Sequence, residues 1–218
     1  MPSLTRTPKR DQARRDERRE AVELRVLRAL DTLLAAGTPF TELAVQRISS
    51  EAGIARSTFY RYFPDKSRLL IRMAELATAD QFRAAEDWWS QSHADGEAGV
   101  VAAMRAMIAG SRNHHMLMRA LLEAAAYDPD VGTYWQGRME GFVGLVRARL
   151  ERDAASGHVD PTLDLTSIAI VLTCMVERSI DFLLTTTTPI DDEQMARSLG
   201  RAIWSTVNSG APVPADSP

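Results

Sequence analysis

The chain has 218 residues, 45% hydrophobic and 25% charged, with one cysteine and a net charge of −3. That is the composition of an ordinary folded protein, and the lone Cys174 excludes a disulfide framework or a thiolate zinc cluster. The longest apolar stretch, residues 167–176, is about half what a membrane span needs. The N-terminus lacks the apolar segment of a secretory signal, so a cytoplasmic protein with no membrane partner is expected.

Charge is divided unevenly. Residues 1–72 carry 15 Lys and Arg against 9 Asp and Glu, a net of +6, whereas residues 73–218 carry 11 against 20, a net of −9. Opposite signs in the two parts point the first part toward a polyanion. Arg6, Lys9, Arg10, Arg14, Arg15, Arg18 and Arg19 concentrate the positive charge, diluted by Asp11, Asp16 and Glu17.

In chain order, Pro2 and Pro8 among small and basic residues predict a flexible basic arm over residues 1–20. Val26, Leu27, Leu30, Leu33 and Leu34 recur at three- and four-residue spacing, one face of a helix that Gly37 stops. Short helices follow over about 45–52 and from after Gly53 to about Phe63. Asp65 is placed to cap a longer helix from Lys66 to about Trp89, and residues 92–96 read as a loop. Helices to about Ser111 and over about 114–126 come next. Asp128-Pro129 opens another that ends at Ser156-Gly157, and Asp128 caps it. Residues 165–185 are apolar and β-branched; periodicity alone does not exclude strands there, but the length of about 20 residues favours a buried helix. Asp191 with Gln194 resembles a capping box for a last helix to about Val207. The tail, 209–218, has three prolines and is expected to be disordered. The chain is therefore expected to be all-α: a three-helix head over 21–65 and a six-helix domain over 66–208.

Residues 45–64 have the spacing of a helix-turn-helix. Ile48 and Ala52 face inward, Ser49 is small where two helices approach, and Gly53 sits where a positive φ is needed. Ile54, Phe59 and Tyr62 or Phe63 pack from the turn and the second helix. That helix is too short to stand alone, and it leaves Arg56, Ser57, Thr58 and Arg61 outward. These side chains can read base edges or hold phosphates. A plain helical hairpin with a polar face is the bland alternative, made less attractive by the basic segment before it.

Residues 41–70, TELAVQRISSEAGIARSTFYRYFPDKSRLL, closely resemble the DNA-binding signature of TetR-type transcriptional regulators. The matching residues are Ile48, Ala52, Gly53, Ile54, Thr58, Tyr60, Tyr62, Phe63, Lys66 and Leu69. The resemblance implies that Tyr60 and Lys66 contact the phosphate backbone, with Thr58 helping. It places Arg56, Ser57 and Arg61 where relatives meet bases or phosphates, counts Tyr62 with the DNA-binding set, and makes Arg47 a further contact. Ala55 departs from the pattern, which has a capping Ser or Thr there; losing such a cap costs about 1 kcal/mol.

The resemblance further implies a homodimer with a sensing domain behind each head. After Asp160 the chain is similar to the ethionamide-regulator branch of that family, through MVERSI at 175–180, AIWSTVNSG at 202–210 and Tyr134-Trp135. By that similarity Trp135, Thr173, Val176 and Trp204 line an apolar channel. Thr173 and Val176 replace amide side chains, so the ligand finds fewer hydrogen-bond partners. Met104, Met107, Met139 and Phe142, with Trp88 and Trp89, lie on apolar helical faces and serve as core or as pocket lining. The helices at 165–185 and 191–207 are apolar enough to need a second covering layer, either a partner chain or the monomer's own core.

The expected function is a DNA-binding regulator, a repressor released from a palindromic double-stranded operator by a small apolar ligand. An architectural or ligand-independent DNA-binding protein is the alternative. No enzyme, cofactor or metal is expected. His114 and His115 are adjacent and point about 100° apart on a helix, and no phosphate loop or nucleophile motif is present.

Overall fold

The computed structural model describes residues 8–90, 96–157, 159 and 162–208. Among them every regular element is helical: α1 (Pro8–Ala35), a 3-10 turn (Phe40–Glu42), α2 (Val45–Glu51), α3 (Arg56–Tyr62), α4 (Lys66–Ser90), α5 (Gly96–Asn113), α6 (His115–Ala125), α7 (Pro129–Ala155), α8 (Leu165–Thr185) and α9 (Asp192–Val207). No helix among the described residues is long and apolar enough to cross a membrane.

The expected arm is corrected at its inner end, because the chain is helical from Pro8 onward. Proline fits the first helical turn, where its missing N–H has no intrahelical acceptor. Polar partners along this charged segment stand at helical spacing. Gln12 donates to Asp16 at 2.9 Å, and Arg19 pairs with Glu23 at 2.8 Å, both four residues apart. Residues 1–7, residues 92–95 of the expected loop, the tail 209–218 and the Trp88 and Trp89 side chains lie outside the described set.

The chain divides into two compact units. The first comprises the residues up to Ala77 with Met116–Thr133, and the second comprises Thr78–His115 and the residues from Tyr134 onward. Besides α1–α3, the first unit takes in the start of α4 and most of α6. The start of α4 buries Leu69, Leu70, Met73 and Ala74, and α6 buries Leu117, Ala120, Leu121 and Ala124. Polar contacts tie these parts together. The Ser67 hydroxyl donates to the Asp128 carboxylate, which also accepts from the Asp130 and Val131 amides and so caps α7. Its pKa lies below the ordinary aspartate value because those hydrogen bonds, Ser67 first, favour the charged form.

A buried carboxylate joins α1 to α4. Glu23 is 2% exposed. It accepts two hydrogen bonds from Arg72, at 3.0 and 2.8 Å, and one from Arg19 at 2.8 Å. Burial alone would raise its pKa, but the two guanidinium groups outweigh that and lower it.

In the second unit α5, α8 and α9 share one apolar core that includes Val100, Met104, Ile108, Leu172, Val176, Leu199 and Ile203. Gly200 lets α9 lie directly on α5: a Cβ there would stand 2.5 Å from Val101 Cγ2 and 3.0 Å from the Val101 backbone. At the start of α9, Arg105 forks onto Glu193 at 2.7 and 2.8 Å, and Arg112 pairs with Asp192. Arg105, with help from Arg197, lowers the Glu193 pKa to about 2. The expected capping box does not form. Asp191 holds the N-cap position without a side-chain bond, while the two acids after it face arginines. In α8 Asp164 does cap, accepting from the Thr166 amide at 3.1 Å.

Candidate nucleic-acid interface

The helix-turn-helix forms where the spacing placed it. α2 ends on bonds from Gly53 N to Ser50 O at 3.1 Å and from Ile54 N to Ser49 O at 2.9 Å, with Gly53 at φ +61°. No atom lies within 4 Å of where a Gly53 Cβ would be, so the glycine is needed for its backbone angle and not for room.

α3 has only seven residues and is held from behind. Phe59 is fully buried and Phe63 nearly so, their ring centroids 5.3 Å apart, and Ile48 of α2 is fully buried. Ser49 is buried as the close approach of α2 and α3 required, but its hydroxyl has no hydrogen-bond partner. Ala55 sits in the extended N-cap geometry, φ −70° and ψ 146°, without a side-chain cap bond.

The outward side holds the expected residues. Arg56, Ser57, Tyr60 and Arg61 are exposed, Thr58 and Tyr62 are half-buried, and Arg47 is exposed on α2. The Arg56 guanidinium lies over the Tyr60 ring, 5.5 Å from its centre, while the Tyr60 and Phe59 rings meet in a T-shaped arrangement. This stacking holds the phenol and the cation together on one face of α3.

Lys66, which the resemblance assigns to the phosphate backbone, is engaged within the protein itself. Its Nζ donates to the Phe40 carbonyl at 2.7 Å and the Thr41 carbonyl at 3.1 Å, and stands 4.7 Å from the Phe40 ring centre. Two of its three donor hydrogens are therefore committed to the turn before α2. Burial pushes its pKa down. Sequence reading missed Phe40 and the Glu23–Arg72 pair. Glu23 had a legible signal, because it falls on the apolar side of α1 beside Val22, Val26 and Leu27.

The proposed pocket residues fall into two groups. Met104 and Val176 are buried in the second unit's core, and Met107, Phe142 and Trp204 pack against it. Trp135 and Met139 are half-buried on α7 and do not join that cluster. Thr173 is 8% exposed, and its hydroxyl oxygen has no partner. On the outer side of α8, Ile170, Val171 and Phe182 are 45%, 57% and 51% exposed. On the same helix Arg178 pairs with Asp181 at 2.6 Å.

Two family models match the chain. The bacterial regulatory protein tetR family covers residues 34–73, and the C-terminal domain of the transcriptional regulator EthR covers residues 100–207. The chain belongs to the TetR family of transcriptional regulators. It is 25% identical to the HTH-type transcriptional regulator EthR of Mycolicibacterium smegmatis over 181 residues, 82% of this chain and 81% of that protein. The EthR of Mycobacterium tuberculosis is also 25% identical, over 72% of this chain and 73% of that one. In structure, a TetR-family regulator from Rhodococcus sp. superposes with a TM-score of 0.68 at 17% identity, covering 88% of this chain and 99% of the other. As a TetR-family regulator the chain carries a DNA-binding helix-turn-helix followed by an EthR-type ligand-binding domain.

Proposed function

We propose that the protein is a homodimeric repressor that reads a palindromic operator through α3 and is released from it by a small, mostly apolar ligand. The observation that carries the DNA reading is the two-sidedness of α3: Phe59 anchors it internally while Arg56, Ser57 and Arg61 face solvent. Side chains so placed enter a major groove. Ser57 and Arg61 take base edges. Tyr60, Thr58 and the remaining Lys66 donor take phosphates, and the exposed Arg47 of α2 and the half-buried Tyr62 are further contacts.

Dimerisation is supported by three exposed apolar side chains of α8, Ile170, Val171 and Phe182, which water wets in a lone chain. Two-fold symmetry then makes the operator palindromic. The ligand reading is supported by the EthR-type domain and by the unpartnered Thr173 hydroxyl within an apolar surround. A ligand that binds better to the state with its heads mis-spaced shifts the population. Coupling of about 1–3 kcal/mol weakens operator binding about 5–150-fold.

Selection of bound fragments from random duplex DNA tests this reading. A palindromic consensus bound by one dimer is expected, and binding without sequence preference would replace the repressor with an architectural protein. A set of aryl and alkyl amides, screened for thermal shift and then for release of that consensus, tests the ligand step. Thr173→Val should weaken the hits that carry a hydrogen-bonding group.

A further inference from the structure

We propose that the outer side of α1 is a second DNA-contacting surface, an arginine stripe that grips duplex phosphates without reading sequence. The proposal rests on the helix-turn-helix being a DNA reader, and extends the contact beyond it. Arg14, Arg18, Arg25 and Arg28 are all exposed, and their spacings of four, seven and three residues bring them within about 80° of one another around the helix axis. Ala21 and Thr32 continue the same line. From Gln12 onward, Asp16, Glu20 and Asp31 fall on a different side of the helix, and Glu17 only borders the stripe.

Among the described residues, none of the four guanidinium groups has a hydrogen bond or ion pair. That contrasts with the second unit, where Arg105, Arg112, Arg147, Arg178 and Arg197 each meet a carboxylate. It contrasts also with Arg19 on α1 itself, which is bonded to Glu23. Like charges three and four residues apart oppose a helix unless something neutralises them. Four unpaired cations along one line call for a linear polyanion.

Duplex DNA fits that requirement. From Arg14 to Arg28 the helix advances about 21 Å, a length over which a duplex carries about a dozen phosphates. Arginine forks match phosphate oxygens in pairs. Residues 12–21 are exposed on all sides, so this half of α1 stands clear of its unit's core, which begins at Val22. The stripe also belongs to the same compact unit as α3, whose Arg61 is likewise exposed.

The test compares full-length wild type with R14Q/R18Q/R25Q/R28Q, binding the selected consensus and a random duplex of equal length across a salt series. The Gln variant should weaken both duplexes by the same factor, at least tenfold at low salt. The slope of log affinity against log salt should shrink by about 3–4 per head, with the ratio of consensus to random unchanged. The matching Lys variant should keep most of the slope, and R147Q/R152Q on α7 should leave it at the wild-type value. A Gln variant with the wild-type slope overturns the proposal and redirects the stripe to an acidic protein surface. Loss of the consensus-to-random ratio in Arg61→Ala, with the stripe's slope intact, separates the two contacts. A wild type that binds neither duplex overturns both.

Discussion

Lys66 reaches back 26 residues to hold Phe40: its Nζ donates to the Phe40 carbonyl at 2.7 Å while standing over the ring of the same residue. The first residue of α4 thereby fixes the turn that delivers the chain into α2. A lysine serving DNA alone could be removed without harm to the free protein. Here Lys66→Met should lower the stability of the head by about 1–2 kcal/mol, the loss of partly exposed charge-assisted hydrogen bonds. Urea denaturation of free protein checks this, and an unchanged midpoint would return Lys66 to a purely phosphate-binding role.

Tyr60 and Arg61 are neighbours that should fail differently. Tyr60→Phe removes one phosphate donor and should weaken consensus and random duplexes alike, lowering the salt slope little because the group is neutral. Arg61→Ala should cost about 1–3 kcal/mol on the consensus alone and relax preference at one base position. Equal losses on both duplexes for Arg61→Ala would move it from the base-reading group to the phosphate group.

Glu23 makes the head acid-sensitive. Its pKa is held below the ordinary 4.5 by Arg72 and Arg19 against the effect of burial. A carboxylate depressed on folding contributes stability that is fully present above pH 4.5 and is lost as pH falls through the lowered value. Stability should therefore decline on acidification below that point, and Glu23→Gln should flatten the decline. At neutral pH the same variant should cost about 1–3 kcal/mol, toward the low end because Arg72 is 35% exposed. Denaturant midpoints at neutral and acid pH, for wild type and variant, decide it.

Much of this architecture was legible from residue spacing. The bounds of α8 and the start of α4 follow from apolar periodicity and from an aspartate placed to cap, and Asp65 does accept from the Arg68 amide at 2.7 Å. The inward and outward sides of α3 follow from Gly53 and Phe59. What escaped were relationships between distant segments. Glu23 and Arg72 are 49 residues apart, and no local pattern couples them. The start of α1 is not legible as helix because Pro8 and the charges look like an arm, while the Gln12–Asp16 and Arg19–Glu23 contacts are visible only once the 3.6-residue repeat is assumed. The Asp191 box is local in sequence and does not form, whereas Asp192 and Glu193 after it pair with Arg112 and Arg105, 80 residues or more away, which no local pattern shows.

Gly200 provides a packing test in the second unit. A methyl group there meets the Val101 side chain at 2.5 Å and its backbone at 3.0 Å. The valine side chain can turn, but the backbone of α5 cannot retreat without opening the core shared by α5, α8 and α9. Gly200→Ala should thus destabilise by about 1–3 kcal/mol despite alanine's better helix propensity. Val101→Ala in the same chain should recover part of the loss. A stabilised single variant would mean that the two helices are not in close contact.

Ala55 offers the converse, a place where the helix lacks something it can be given. The residue already has N-cap geometry, and the Thr58 and Phe59 amides donate to its carbonyl at 2.9 and 3.0 Å. The Ser57 amide, near the free N-terminus of α3, has no such acceptor there. Ala55→Ser adds an oxygen within reach of that end and should stabilise the protein by about 0.5–1 kcal/mol. Its effect on DNA binding distinguishes two states of the free protein. If α3 is fully formed without DNA, as its anchoring by Phe59 and Phe63 dictates, the cap stabilises free and bound protein equally and operator affinity stays the same. If the helix frayed in the free protein, part of the binding energy would go into ordering it, and the serine variant would bind more tightly. Unchanged affinity alongside a raised denaturation midpoint is the expected pair of results; tighter binding would show that the aromatic anchors alone do not hold the recognition helix.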